Sequence, residues 1–314
     1  MWLIKDEEET DENFGKRPEE RNIEELIENC LILVDKHSGP TSHQISLWIK
    51  EIFKARKVAH IGTLDPKVTG LLPVLLNDGV KCAILFQKLY KEYVGVMHMH
   101  KDFDLDLLKK IIEQKFVGKI TQIPPKKSAV ARKPRIREVV FFNILEVEGR
   151  DVLFHTKVEA GTYIRKLVDD IGKAYGVGAH MTELRRIKVG DFDEKNSHPL
   201  LKIKDAYEFW KNGDEKLLKE ILIPIEYAID HVKKVFVKDS AIPSLCNGAP
   251  LFPVGISRLQ EDIKEGEMIA VMSLKNELIA IGIARMNSKK MYESKKGIAV
   301  RIDRVIMKKG IYPQ

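Results

Sequence analysis

The chain reads as an α+β domain followed by a small all-β barrel, and three observations predict that class. Up to about residue 230, apolar positions switch between the 3.6-residue period of amphipathic helices and the two-residue period of half-buried strands. Beyond it, short apolar segments alternate with Gly, Pro and Lys-Asn turns, the pattern of a small barrel. At 314 residues the chain exceeds one average domain, and its 44% hydrophobic content is enough for a real core.

The elements follow in order. Residues 1–22 mix acidic runs with Gly15 and Pro18 and lack periodicity, so they read as a flexible or partner-dependent extension. Leu31 to Val34 predict a strand, which Gly39-Pro40 breaks. Thr41-Ser42 offers a helix cap ahead of Ile45, Trp48, Ile49, Ile52 and Phe53, whose spacing buries one helix face. Leu107, Leu108, Ile111, Ile112 and Phe116 mark a second helix ending near Gly118. Segments 139–147 and 151–158 predict strands joined by a turn at Glu148-Gly149-Arg150, with Val152, Phe154, Thr156 and Val158 alternating against Leu153, His155 and Lys157. Ile164, Leu167, Val168 and Ile171 form the stripe of a third helix, stopped by Gly176 and Gly178. Apolar segments 235–237, 251–256, 268–274, 278–285 and 298–306 make the barrel. The expected division is an N-terminal extension over 1–22, a main domain over 23–229 and a β-module over 230–310.

No run of 18 or more apolar residues occurs and the N-terminus is acidic, which predicts a soluble, unsecreted, cytoplasmic protein with no membrane partner. Cys30, Cys82 and Cys246 are far apart and form no CxxC pair, so neither a disulfide framework nor a zinc site is expected. The net charge of +7 is unevenly placed. Residues 1–28 hold eleven acidic and four basic side chains, leaving 49 basic against 35 acidic in 29–314, a body at +14. That balance suits a phosphate-bearing partner, although a solvated Lys/Glu surface has the same composition. Residues 126–137, KKSAVARKPRIR, concentrate six cations: Lys126, Lys127, Arg132, Lys133, Arg135 and Arg137. Pro134 argues against a regular helix, so the stretch reads as a mobile basic loop that could close over a phosphate-bearing partner, with a solvated charge run as the alternative.

The segment 60–73, HIGTLDPKVTGLLP, sets Asp65 between Leu64 and Pro66, and proline pushes the residue before it into extended backbone. Gly62 and Gly70 allow tight turns on either side. Asp65 can therefore project from a loop above the apolar layer Leu71 to Leu76. Taken alone, an Asp-Pro pair is equally an ordinary turn.

With Gly62, Thr63, Leu64, Asp65, Pro66, Thr69 and Gly70, the segment resembles the signature loop of the TruB family of pseudouridine synthases. Four further blocks fall in that family's order: Asp35-Lys36 through Gly39-Pro40-Thr41-Ser42-His43, then Lys91-Glu92-Tyr93, then Gly161 to Leu167, then His180 to Arg186. The resemblance covers roughly residues 30–195 and is strongest to the archaeal and eukaryotic dyskerin branch, through VEAGTYIRKL and GVGAHMTELRR. Asn247-Gly248-Ala249-Pro250, Pro253 to Ile256 and Gly282 to Ala284 resemble a PUA domain, an RNA-binding barrel. The short N-terminal extension and the lack of a long Lys-rich tail resemble the archaeal form. Ala59 and Ile61 depart from the usual Gly and Ser, and His37 from the usual Pro.

The resemblance implies a mixed or antiparallel sheet flanked by helices and an isomerase that turns uridine into pseudouridine in RNA. It makes Asp65 the nucleophile and Arg165 the cation that holds it ionised as it enters a drier pocket. Tyr93 is expected to stack on the flipped base, with its hydroxyl near the departing C5 proton. His60 is expected to displace the target base, and Ile164 and Leu184 to line its pocket, although each could equally be structural. Gly248 and Ala249 are expected to contact RNA in the barrel. No metal or organic cofactor is implied. The implied partners are a box H/ACA guide RNA, a substrate rRNA or tRNA, a small zinc-bearing protein, a glycine-arginine-type protein and a kink-turn-binding ribosomal-type protein. Two rival readings stand beside this one, a stand-alone synthase of the transfer-RNA T-loop and a catalytically silent guide-RNA scaffold. A scaffold would not need Asp65, Tyr93 and Arg165 together.

Overall fold

The structure is a computed structural model that describes residues 1–124 and 131–313. Its first strand, β1 (Trp2–Ile4), is followed at some distance by α1 (Ile23–Glu28), where Asn22 and Glu25 cap each other reciprocally. β2 (Cys30–Lys36) leads to α2 (Ser42–Ile52), opened by the same device between Thr41 and Gln44. Next come β3 (Val58–His60), β4 (Thr69–Leu76), the single turn α3 (Ala83–Phe86) and β5 (Lys91–Met99). α4 (Leu105–Phe116) begins on the side chain of Asp104, and β6 (Gly118–Gln122), β7 (Arg135–Glu148) and β8 (Asp151–Val158) follow. α5 (Ile164–Tyr175) ends at Gly176, whose φ of +99° is left-handed and favours glycine. After β9 (Ala179–Val189), the short β10 (Phe192–Asp193) and β11 (His198–Pro199) precede α6 (Leu200–Lys211), α7 (Lys216–Ile221), β12 (Ile223–Pro224) and α8 (Ile225–Ala228). The C-terminal elements are β13 (Lys234–Val237), α9 (Ile242–Cys246), β14 (Ile256–Gln260), β15 (Met268–Met272), β16 (Leu278–Ala284), α10 (Ser288–Glu293) and β17 (Val300–Val305).

The main sheet runs β11-β2-β4-β9-β5-β8-β7-β6 and is mixed, because β4 meets β9 in parallel while β5, β8 and β7 pair antiparallel. α4 and α5 bury their apolar stripes against the inward face of β5, β8 and β9. α1, α2, α6 and α7 cover one face of β2 and β4. The other face of those strands shares a core with the second sheet, through Leu31, Leu33, Phe86 and Ile225 against Phe236, Met272 and Ile281. The second sheet runs β1-β14-β13-β15-β16-β17. The expected barrel is thus a six-stranded sheet in open order, with no ladder joining β1 to β17 among the described residues. Among the described residues no helix is long and apolar enough to cross a membrane.

Three expectations need correction. The N-terminal extension is a strap laid along the second sheet. Trp2, Leu3 and Ile4 pair with Gln260, Leu259 and Arg258. The Lys5 ammonium then donates to the carbonyls of Met291, Tyr292 and Ser294 at 2.6–2.8 Å, closing the C-terminal end of α10. Further along, Lys16 N donates to the buried Glu277, and Arg21 forks onto the carboxylate of Glu226 at 2.9 and 3.1 Å. The strap looked flexible because its ordering comes from sheet lysines that answer its acidic run, Lys238 to Asp6 and Lys275 to Glu12, and such pairs are invisible to periodicity. Second, segment 251–256 is not a strand. Leu251 makes one bridge to Val300, Pro253 starts a tight turn, and β14 begins only at Ile256. Third, Trp48 sits on the helical stripe yet remains 37% exposed, on an apolar groove between α2 and α6 that holds none of Asp65, Tyr93 or Arg165.

Candidate active site

Asp65 stands on the connection between β3 and β4, and that loop is pinned from several sides. Ser42, at the first turn of α2, both donates to the Leu64 carbonyl (3.0 Å) and accepts from Leu64 N (2.8 Å). Lys36, fully buried at the end of β2, donates to the carbonyls of His37, Pro66 and Val68 at 2.7–3.0 Å. Gly39 N donates to Pro66 O, and Val68 N to Asp65 O, each at 3.0 Å. Burial pulls the Lys36 ammonium below its usual range, while the Asp65 charge nearby pushes the other way. With the backbone held and Leu64 and Val68 packed into the core, the Asp65 side chain points out of the loop.

Arg165 meets it there. The guanidinium of Arg165, in the first turn of α5, pairs with the carboxylate of Asp65, and both side chains are more than half exposed. The pair is therefore solvated in the free chain, which corrects the expectation of a dry pocket. An exposed pair of this kind contributes only about 0–1 kcal/mol to stability, so its value lies in orientation until something covers it and lowers the local dielectric. Beneath the pair, Tyr93, Ile164 and Leu184 pack in one apolar cluster with Leu64 and Val68, each at most 9% exposed. Gly95 lets β5 lie close enough for this, because a Cβ there would meet Glu183 O, Leu184 and Phe154 at 2.8 Å.

His60 ends β3 with both ring nitrogens engaged, Nδ1 on Ser46 Oγ (3.0 Å) and Nε2 on Thr63 Oγ1 (3.1 Å). Ser46 gives its proton to Ser42 O, so its oxygen accepts from Nδ1–H and the ring carries its proton there. Burial, with help from Arg186, holds the imidazole below its ordinary value and neutral at pH 7.

Sequence reasoning assigned no task at the Asp65 loop to Lys36, Ser42, Lys91 or Arg186, although all four fall inside the quoted blocks. The signal was there in the strand period. Lys91 shares the inward face of β5 with Tyr93, and Arg186 that of β9 with Leu184. Arg186 is 1% exposed; its Nε donates to Leu71 O at 2.8 Å and its Nη2 to Ile61 O at 3.4 Å. The Lys91 ammonium donates to Leu89 O at 2.5 Å, and burial followed by the Arg186 charge drives its pKa down to about 8. An unfolded lysine keeps its proton to about 10.5, so the contribution of Lys91 to stability rises with pH between about 8 and 10.5. Lys91→Met is expected to remove that rise and to gain up to about 3 kcal/mol at neutral pH, read by urea unfolding across the pH range. A variant with the wild-type pH slope would contradict a desolvated Lys91.

The basic stretch is only partly a loop. Lys126 and Lys127 lie outside the described residues. Arg132 and Lys133 are exposed ahead of β7, whereas Arg135 and Arg137 belong to that strand, paired with Gln122 and Ile120. Arg137 packs on the Gly161 turn that launches α5, where a Cβ on Gly161 would stand 3.2 Å from its Nε. Gly248 and Ala249 close α9, donating to Leu245 O (2.9 Å) and Ser244 O (3.1 Å), with Gly248 left-handed at φ +86°. They stand on the second sheet's unit, apart from the Asp65 cluster.

A solvated carboxylate and guanidinium over an apolar floor with one aromatic ring suits an enzyme that works on a base lifted out of RNA. Models of four families match consecutive parts of the chain: a DKCLD domain over 1–46, the TruB family pseudouridylate synthase N-terminal domain over 50–164, the tRNA pseudouridylate synthase B C-terminal domain over 165–230, and a PUA domain over 233–306. The "Probable tRNA pseudouridine synthase B" of Nanoarchaeum equitans is 47% identical over 100% of this chain and 90% of its own. The solved Cbf5-Nop10-Gar1 complex contains a chain 46% identical, with a TM-score of 0.93 over 100% of this chain and 96% of that one. An H/ACA RNP bound to a substrate RNA containing 2′-deoxyuridine matches at 44% identity and TM-score 0.92, over 100% and 96%. The chain belongs to the TruB family of pseudouridine synthases, in its dyskerin-type branch with a C-terminal PUA domain, and is an RNA pseudouridine synthase.

Proposed function

We propose that this chain isomerises uridine as the catalytic subunit of a box H/ACA-type ribonucleoprotein, with Asp65 as nucleophile. The observation that carries the assignment is the Asp65–Arg165 pair, set over the Tyr93, Ile164 and Leu184 floor by a loop that Lys36 and Ser42 immobilise. A uridine flipped onto that floor stacks on Tyr93 and displaces water from the pair, which strengthens the field holding Asp65 ionised. The Asp65 carboxylate then attacks the nucleotide and the N1–C1′ bond breaks. The base turns, C5 bonds to C1′ as the bond between Asp65 and the nucleotide breaks and frees the carboxylate, and the C5 proton leaves beside the Tyr93 hydroxyl while N1 gains one, so no atom of the base is lost. His60, held neutral between α2 and the loop, would help displace the target base.

Guide pairing would choose the uridine, with the second sheet holding the guide near Gly248 and Ala249. The partners are then the guide and substrate RNA, rRNA or tRNA, together with the zinc-bearing, glycine-arginine-type and kink-turn-binding proteins, in a cytoplasmic setting. The Nop10, Gar1 and H/ACA components named with the similar solved chains support this reading. A stand-alone reading on transfer RNA is favoured by the name of the Nanoarchaeum equitans relative. The deciding experiment incubates the purified chain with uridine-bearing rRNA and tRNA fragments, with and without guide and partner proteins, and quantifies pseudouridine beside Asp65→Ala. Product without guide favours the stand-alone enzyme; undiminished product from Asp65→Ala rejects the nucleophile.

Replacing Arg132, Lys133, Arg135 and Arg137 with glutamine is expected to weaken RNA binding and flatten the plot of log affinity against log salt by up to about 3 in slope. A wild-type slope would remove these side chains from the RNA interface.

A further inference from the structure

Arg186 and Lys91 are buried cations that the reaction leaves without a task. At 1% and 6% exposure, neither pairs with a carboxylate among the described residues, and the charge acting most on Lys91 is that of Arg186 itself. Burying an unpaired cation costs several kcal/mol after relaxation, and backbone carbonyls offset only part of it. Such a cost at a cleft points to function more than to packing.

The surroundings of Arg186 say which function. Its Nη2 and Nε reach the carbonyls of Ile61, where the Asp65 loop begins, and Leu71, where it has joined β4. Both glycines that give the loop its turns rest on this one residue. A Cβ on Gly62 (φ +70°) would stand 3.0 Å from Arg186 Nη1, and a Cβ on Gly70 (φ +97°) would run into the Arg186 carbonyl oxygen. Across the β5–β9 ladder Arg186 stands opposite Tyr93, whose phenol supports the guanidinium charge. Lys91, two residues before Tyr93 on the same face, has its Cε 3.5 Å from the same Gly62 position and its ammonium tied to Leu89 O.

We propose that Arg186, seconded by Lys91, is a positioning residue for the isomerisation: its guanidinium ties the Tyr93 hydroxyl to both ends of the Asp65 loop and sets the separation of base platform and carboxylate before RNA arrives. The role rests on the pseudouridine synthase reading of the site. A planar fork holds its donors in fixed directions, which an ammonium on a flexible stem does not. Preorganisation of this kind matters because a displacement of about 1 Å at a reacting group can cost on the order of 100-fold in rate.

The test uses the full chain with guide, partners and substrate RNA under single-turnover conditions. Arg186→Lys is expected to slow pseudouridine formation on the order of 100-fold while RNA affinity stays within about twofold, a split that a general loss of structure would not give. Gly62→Ala leaves Arg186 in place but presses on its Nη1, and is expected to slow the same step. It also serves should Arg186→Lys fail to fold. A readout independent of activity comes from the chain labelled with 3-fluorotyrosine, its Tyr93 resonance assigned by Tyr93→Phe. That resonance is expected to shift and broaden in Arg186→Lys or Gly62→Ala. Rates within threefold of wild type in both variants, or an unmoved Tyr93 resonance, overturn the proposal. If the wild type itself forms no pseudouridine, the reaction reading fails, and the fluorine resonance alone still decides whether Arg186 holds Tyr93.

Discussion

Asp65→Asn is expected to lower the single-turnover rate of pseudouridine formation by at least about 10³-fold, a barrier increase of about 4 kcal/mol, while RNA affinity and thermal stability stay close to wild type. The amide keeps the shape of the carboxylate but cannot act as the nucleophile. The pinned loop, held by Lys36 and Ser42, does not depend on the Asp65 side chain. The Asp65–Arg165 pair is solvated in the free chain, so breaking it should cost under about 1 kcal/mol of folding stability. Rapid-quench assays and melting curves on the same preparation separate the two quantities. Turnover by Asp65→Asn at even a tenth of the wild-type rate would transfer the nucleophile's role elsewhere.

Arg21→Met is expected to lose about 3–5 kcal/mol of stability, because it leaves the carboxylate of Glu226 without its cation. Glu226 is 1% exposed and Arg21 13%, and Glu226 Oε1 also accepts from Leu278 N at 3.1 Å. One carboxylate on α8 thus joins the strap to the edge of β16, across the shared core of the two sheets. Removing both charges with Arg21→Met and Glu226→Met should recover much of the loss, since an apolar pair of similar volume often replaces a buried ion pair without penalty. Urea unfolding of the two single variants and the double variant gives the coupling directly. A single-variant loss below about 1 kcal/mol would show that the strap is held by its other contacts.

Much of this protein follows from local rules acting on neighbouring residues. The Thr41 cap, the stripe of α5 stopped at Gly176, the alternation of β8 and the left-handed turns at Gly62 and Gly70 all depend on side chains within one or two turns of each other. The seven matching residues from Gly62 to Gly70 singled out Asp65 for the same reason, since a loop signature is contiguous. Helix α10 and helix α9 escaped because they are five or six residues long, too short for a helical period to register.

By itself, then, the sequence determined the elements with a clear period, such as α2, α4, α5, β7 and β8, and which carboxylate to watch, while α6 went unread. Only the tertiary structure decided what surrounds that carboxylate. The Asp65–Arg165 pair joins residues 100 positions apart, and Lys36, Arg186 and Lys91 reach the loop or its glycines from three other strands. It also decided that the pair lies open to solvent and that the acidic N-terminus is a strap on the second sheet. The physical reason is the same throughout. Capping and periodicity are short-range and written along the chain, whereas desolvation and ion pairing depend on which distant strands a mixed sheet sets side by side.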